Sequence, residues 1–287
     1  MTTATKPLSN RIAIVFDFDD TLVPDTFDTL LEHHGLDAAA FRSERVKPLL
    51  EDGWDKIPAR FYCLIEESQQ RDQDKITQAS LANLGRNLQP FAGVPEMFER
   101  LRQHACQLVP EVEVDFYLIT GGIAEIARHT SIAHHFKKIW GCDFHYAEDG
   151  EIKFLKKFVT HTEKTRYLFS ISKGIEGQDE EGLLFVYRNL PAEELHVPLT
   201  QMIYVGDGAS DIPCFSILNE HQGIAIGVYK DGKAQEWEYQ EKVSANQRVV
   251  NLAPAEYGEE SELMRSLTLA VESICKQIAL LQLSVDE

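Results

Sequence analysis

Asp17 and Asp19 stand two residues apart in the string Asp17-Phe18-Asp19-Asp20-Thr21, where an apolar run that begins at Arg11 gives out. Residues two apart on an extended chain point the same way, and a turn can aim them separately. Two such carboxylates can divide labour, one attacking as a nucleophile while the other handles protons. Both would repel a phosphate dianion, so a cation must lie between them. Mg2+, with its preference for oxygen ligands, meets that need. Asp207 and Asp211, in Gly206-Asp207-Gly208-Ala209-Ser210-Asp211, offer further oxygens. In Thr120-Gly121-Gly122, Thr120 offers a hydroxyl and Gly121 an exposed N–H for phosphate oxygens, at the expected start of a helix.

Hydrolysis of a phosphate ester requires a nucleophile, a proton for the leaving group and positive charge for the phosphoryl oxygens. The part still missing is a fixed cationic side chain. Thr160-His161-Thr162-Glu163 has the form of a capping box, so a helix should begin there. Lys164 then falls in its first turn, and Lys173 near its far end. Lys164 is the better candidate, because in an open α/β sheet only the first turn faces the strand tips.

These groups need strands to carry them. Arg11 to Phe18 reads as a buried strand, as do Val112 to Ile119, Met202 to Val205 and Gly223 to Val228, with a short one at Ile139 to Cys142. Asp149-Gly150, between Phe144 to Ala147 and Ile152 to Phe158, signals a hairpin. Helices are expected at about 90–104 and 123–129, and strands alternating with helices imply an α/β fold, a Rossmann-like parallel sheet with helices on both faces. The helical stretch from about Asp25 to Gln89 is too long for a simple crossover. It reads as an inserted helical cap at 23–89, broken at Gly35, Gly53 and Gly85, with a discontinuous core at 1–22 and 90–287.

Asp17-Phe18-Asp19-Asp20-Thr21, Thr120-Gly121, Lys164 and the Asp207 to Asp211 string occur in an order that resembles the haloacid dehalogenase (HAD) superfamily, in its phosphatase branch. The match covers residues 11–21 and about 90–230, and the helical insertion resembles the cap of the phosphoserine-phosphatase-like subgroup. The resemblance implies that Asp17 becomes an aspartyl-phosphate and that Asp19 protonates the leaving alcohol and then activates water. It puts Mg2+ on the Asp17 carboxylate, the Asp19 backbone carbonyl and Asp207. Asp211 then supports the metal's waters or the lysine. It also implies a small phosphorylated substrate. Phosphoryl transfer in a mutase would use the same nucleophile, and a non-catalytic phosphate-binding module would keep the fold without turnover. The segment from Lys164 to Asp207 is longer than the family pattern, with an extra stretch at 174–200.

Composition sets the outer bounds. The formal net charge of -18 disfavours nucleic acid and anionic membranes. No unbroken apolar run approaches the roughly 18 residues that span a bilayer, and no signal-peptide pattern opens the chain, so a cytoplasmic location is expected. The five cysteines form no C-x-x-C pair and read as reduced thiols. The pairs His33-His34 and His134-His135 read as solvated surface, since adjacent helical residues face apart. Arg42, Arg45, Lys56 and Arg60 in the cap could bind an anion, though each alone reads as surface charge. Ser261 to Leu283 has helical apolar spacing suited to packing on the sheet.

Overall fold

Arg11–Phe16 (β1) reads RIAIVF, and every residue after Arg11 is buried. A strand this apolar must be covered on both faces, which places it in the interior of a parallel sheet. The computed structural model, which describes residues 9–175, 186, 188–208, 210–230 and 249–285, puts it there. The other strands are β2 (Glu113–Ile123), β3 (Phe136–Tyr146), β4 (Ile152–Lys157), β5 (Met202–Gly206), β6 (Ile224–Tyr229) and β7 (Asn251–Pro254). Their order is β4-β3-β2-β1-β5-β6-β7. All neighbours are parallel except β3 and β4, the hairpin signalled by Asp149-Gly150. Gly150 takes the left-handed conformation at φ 84° that this turn demands.

Two pairs of helices flank the sheet. α6 (Val94–Leu108) packs with α10 (Glu262–Val285), and α8 (His161–Lys173) with α9 (Ile212–Glu220). The expected Rossmann-like sheet covered by helices is what the sequence forms. Between β1 and β2 lie α1 (Thr26–His33), α2 (Ala38–Phe41), a π turn at Arg42–Val46, α3 (Lys47–Glu51), α4 (Lys56–Gln70) and α5 (Gln78–Asn87). This layer rests on the core through Phe61 and Phe144, whose rings meet edge-on at 5.4 Å. It also rests through α5 on α7 (Ala124–Arg128).

Several local expectations change. Gly35 and Gly53 do end helices, at φ 72° and 93°. Gly85 instead lies inside α5, because a β-carbon there would stand 2.3 Å from the Ile126 carbonyl oxygen of α7. β3 is one strand rather than two short ones. The capping box at Thr160 does not form: α8 starts where expected, but the Thr160 side chain makes no cap bond and Glu163 turns to Arg166. Within the 174–200 stretch, 176–185 and 187 lie outside the described residues. α10 corrects the reading of span length, for Glu262–Leu283 is long and apolar enough to cross a bilayer by length and composition. Scattered charges such as Arg265 and Glu272 break the apolar run without lowering its average enough. One face of this helix, with Leu263, Leu267, Val271 and Ile274, is buried in the core.

Candidate active site

The sheet register assembles the site. Phe16 pairs with Leu118 on one side and Val205 on the other. Asp17 therefore sits one step beyond both pairs, with Thr120 and Asp207 two steps beyond, and its N–H still donates to the Val205 carbonyl at 2.9 Å. Strand order reverses direction at β1, and a crevice at such a switch point, beyond the carboxyl ends of the strands, is where this architecture binds ligands.

Lys164 reaches this point from the first turn of α8. Its ammonium lies 2.9 Å from Asp17 Oδ1 and 2.7 Å from Asp211 Oδ1, with the side chain only 1% exposed. Burial alone would depress Lys164, but the Asp17 and Asp211 charges raise it well above the usual lysine range. Lys173 points elsewhere and donates to the carbonyls of Val186 and Arg188. Asp211 also accepts from Tyr204 Oη at 2.7 Å and the Gly208 N–H at 3.2 Å. A β-carbon at Gly206 would come within 2.4 Å of Asp211 Cγ, so only glycine fits there.

Asp19 is held by different partners. Its Oδ1 accepts from the Thr26 N–H at 2.7 Å and the Thr26 hydroxyl at 2.5 Å, and its Oδ2 from the Thr120 hydroxyl at 3.2 Å. Burial lifts its pKa to about 6, with Asp25 pushing the same way and the Thr26 and Thr120 bonds opposing. A carboxyl poised there can give and take a proton near neutrality. Gly122 is the residue that makes room: its N–H donates to Thr120 Oγ1 at 2.8 Å, and a β-carbon on it would stand 2.4 Å from Asp19 Oδ2. The expected helix start at Thr120-Gly121 is corrected. Pairing of Ile123 with Cys142 extends β2 through both glycines, and α7 is only one short turn beyond them.

Carboxylate oxygens of Asp17, Asp207 and Asp211 lie within 4.8 Å of one another. Asp17 Oδ1 has no aligned hydrogen-bond donor, for Lys164 approaches it as an ion contact outside hydrogen-bond alignment. Burial raises Asp17 to about 7, with Lys164 pulling down and the Asp211 and Asp19 charges pushing up. Burial, with Asp17 and Asp211, raises Asp207 to about 9. One ammonium cannot neutralise this set, and the carboxyls recover balance by holding protons. The donor set is all oxygen, which suits a hard divalent cation. Each Asp211 oxygen has an aligned donor, whereas Asp17 Oδ1 has only the misaligned Lys164 ammonium.

The strand tips form the floor of a cleft of 530 Å3, roofed by the α1–α5 layer. A β-carbon on Gly121 would lie 3.2 Å from Ile57 Cδ1 of α4, so the roof meets the Thr120 turn directly. Asp17, Asp19, Thr120, Gly121, Lys164 and Asp207 all line this cleft, while the His33-His34 and His134-His135 pairs do not. Thr26, Gly122, Tyr204 and His161 escaped the sequence reading. Gly122 alone left a signal, as the second glycine after a strand.

The model of the haloacid dehalogenase-like hydrolases matches residues 14–216. The chain belongs to that family. Being a HAD-like hydrolase, it is an enzyme by family. It is 26% identical over 300 residues to an uncharacterized protein of Borreliella burgdorferi, covering 94% of this chain and 98% of that one. A substrate-bound phosphoserine phosphatase superposes with a TM-score of 0.56 at 16% identity, covering 90% of this chain and 98% of that one. HAD family hydrolase t0658 of Salmonella enterica serovar Typhi gives 0.53 at 14% identity, with 80% of this HAD-like chain covered and 66% of the other. At such identities the superpositions show the shared fold.

Proposed function

We propose that this HAD-like hydrolase is a Mg2+-dependent phosphomonoesterase in which Asp17 is the covalent nucleophile. The observation that carries the reading is the surplus of buried and half-buried carboxylates around Asp17. Among the described residues, only Lys164 forms an ion pair within the group Asp17, Asp207 and Asp211, beneath an open cleft. Mg2+ held by Asp17, Asp207 and the Asp19 backbone carbonyl would supply positive charge for the phosphoryl oxygens. We assign Asp211, whose oxygens are occupied, to holding Lys164.

The residues then divide the reaction. Asp17 attacks phosphorus, the phosphorus–oxygen bond to the alcohol breaks, and the Asp19 carboxyl protonates the departing oxygen. Asp19, now a carboxylate, takes a proton from the water that attacks phosphorus, and the Asp17 carboxylate is released. We assign Lys164 and the Gly121 N–H to the phosphoryl oxygens, and the Thr120 hydroxyl joins them when it turns from Asp19. The phosphoserine phosphatase fold likeness supports this reading without fixing the leaving group.

The test is phosphate release from a panel of phosphomonoesters with and without Mg2+. The expected result is metal-dependent release that Asp17→Asn abolishes. Unchanged turnover in Asp17→Asn, or an isomerised ester in place of free phosphate, would contradict hydrolysis at Asp17.

A further inference from the structure

The cleft has an acidic floor and a basic roof. On the roof, Arg42 donates from Nε to Asp28 at 2.7 Å and from Nη2 to Asp25 at 3.0 Å. Its charge is therefore met by two carboxylates. Asp25 is further committed to capping α1, accepting from the Phe27 and Asp28 N–H groups. Lys56 and Arg60, one turn apart on α4, line the same wall and make no hydrogen bond or ion pair with a carboxylate among the described residues. The Arg60 guanidinium lies over the Phe27 ring at 5.3 Å and lines the cleft. Lys56 remains solvent-accessible.

These two cations are close enough to the floor to feel it. Arg60 senses the charge of Asp19, and Lys56 that of Asp207. Burial pushes both below their usual ranges, with Arg42 adding to the push on both and Arg60 to that on Lys56, while the Asp25 charge pulls both back up. A molecule whose phosphoryl group meets Asp17 and Lys164 would carry its leaving group up against this pair. Ile57, between them in sequence, lies over Gly121, and the cleft of 530 Å3 suits a small substrate.

We infer that the preferred substrate is a phosphomonoester whose leaving alcohol bears a second oxyanion, a carboxylate or a further phosphate, held by Lys56 and Arg60. The inference rests on the phosphatase reading of the same cleft and names its substrate class. Arg is suited to bidentate contact with either oxyanion, and Lys adds a point charge. An ammonium on the leaving group would meet two unmatched cations and no free pair of roof carboxylates, since Asp25 and Asp28 already serve Arg42. The roof therefore selects against phosphoamino acids as well as for anions.

Three probes that share one carbon skeleton separate these terms. 3-Phosphoglycerate and glycerol 3-phosphate differ by a carboxylate, and 3-phosphoglycerate and O-phosphoserine differ by hydroxyl against ammonium. With Mg2+ present, kcat/KM should fall by about tenfold or more from 3-phosphoglycerate to each of the others, the worth of a charge-assisted contact. Glycerol 1,3-bisphosphate, which has a second phosphate and no carboxylate, is the arm that tells a second phosphate from a carboxylate: a kcat/KM above that of 3-phosphoglycerate assigns the pair to a phosphate, and one below it to a carboxylate. In Arg60→Met and Lys56→Met the 3-phosphoglycerate to glycerol 3-phosphate ratio should shrink towards one, and Arg60→Lys should restore part of it. The same pair titrated calorimetrically onto Asp17→Asn reads the preference without turnover, so a failure of hydrolysis and a failure of anion recognition give different results. Equal kcat/KM and equal affinity for the pair in the unsubstituted roof, or a ratio that neither Arg60→Met nor Lys56→Met moves, would overturn the inference.

Discussion

Replacing Lys164 by Met removes the one fixed cation from between Asp17 and Asp211 while keeping most of the side-chain volume. The ammonium is buried at 1% exposure and lies 2.9 and 2.7 Å from its two partners. Removing one member of a buried ionic set leaves the others uncompensated and costs about 3–5 kcal/mol. In a chain of this size each kcal/mol is worth about 2–4 °C, so thermal midpoints should fall by roughly 6–20 °C. The loss should depend on pH in a definite direction. Asp17 is already raised to about 7 with Lys164 pulling down, and without that pull its folded value rises further. A raised carboxyl favours the folded state when protonated, and that contribution is lost as pH rises through the folded value. Melting of metal-free protein, followed by calorimetry, should therefore show a small deficit near about pH 5 and a larger one near about pH 8. With Mg2+ present, phosphate release should drop by about 100-fold or more. A Lys164→Met protein that melts with the unsubstituted chain at both pH values, or whose deficit is independent of pH, would refute the reasoning.

Gly122→Ala should reduce turnover by about 100-fold, because its β-carbon would stand 2.4 Å from Asp19 Oδ2, whereas Gly208→Ala, with open space around it, should be mild in the same assay. Folded Asp207 and Asp17 sit at about 9 and 7 against an ordinary 3.8, so metal-free protein should lose stability as pH rises across that interval. Over the same interval the gain in midpoint from added Mg2+ should grow and its binding should release protons; a gain that shrinks with rising pH would contradict the carboxylate assignment. Thr26→Val removes the 2.5 Å hydroxyl bond that holds Asp19 down, so the basic limb of the kcat/KM profile should move up by about half to one pH unit, and a downward move would count against Asp19 as the acid.

What the chain revealed in one dimension follows from the range of the forces involved. Apolar strands betray themselves by composition, and polar or glycine residues at their ends mark the tips. Asp17, Thr120 and Asp207 were legible for that reason, and the register of Phe16 with Leu118 and Val205 brings them together. Lys164 was legible because a helix start points its first turn at the strand tips, although the capping box used to find that start does not form. Contacts between distant segments left no such trace. Thr26 steadies Asp19, Tyr204 steadies Asp211, and Gly85 lets α5 approach α7, each through packing that only the folded chain creates. Lys56 and Arg60 were visible as charges, but their lack of hydrogen-bonded or ion-paired carboxylates among the described residues was not.

The most direct test of the central claim is to look for a phosphoryl group on residue 17. Asp19→Asn should be mixed with Mg2+ and 4-nitrophenyl phosphate, whose leaving group needs no proton donor, and quenched in acid. Attack by Asp17 proceeds, while the water step lacks its base, so the covalent form should accumulate. Mass analysis of the digested protein should then find one alkali-labile phosphoryl group on the peptide that carries Asp17, and none when Asp17 is also replaced by Asn. Metal-dependent phosphate release with Asp17 unmodified throughout, or persisting after Asp17→Asn, would contradict the account.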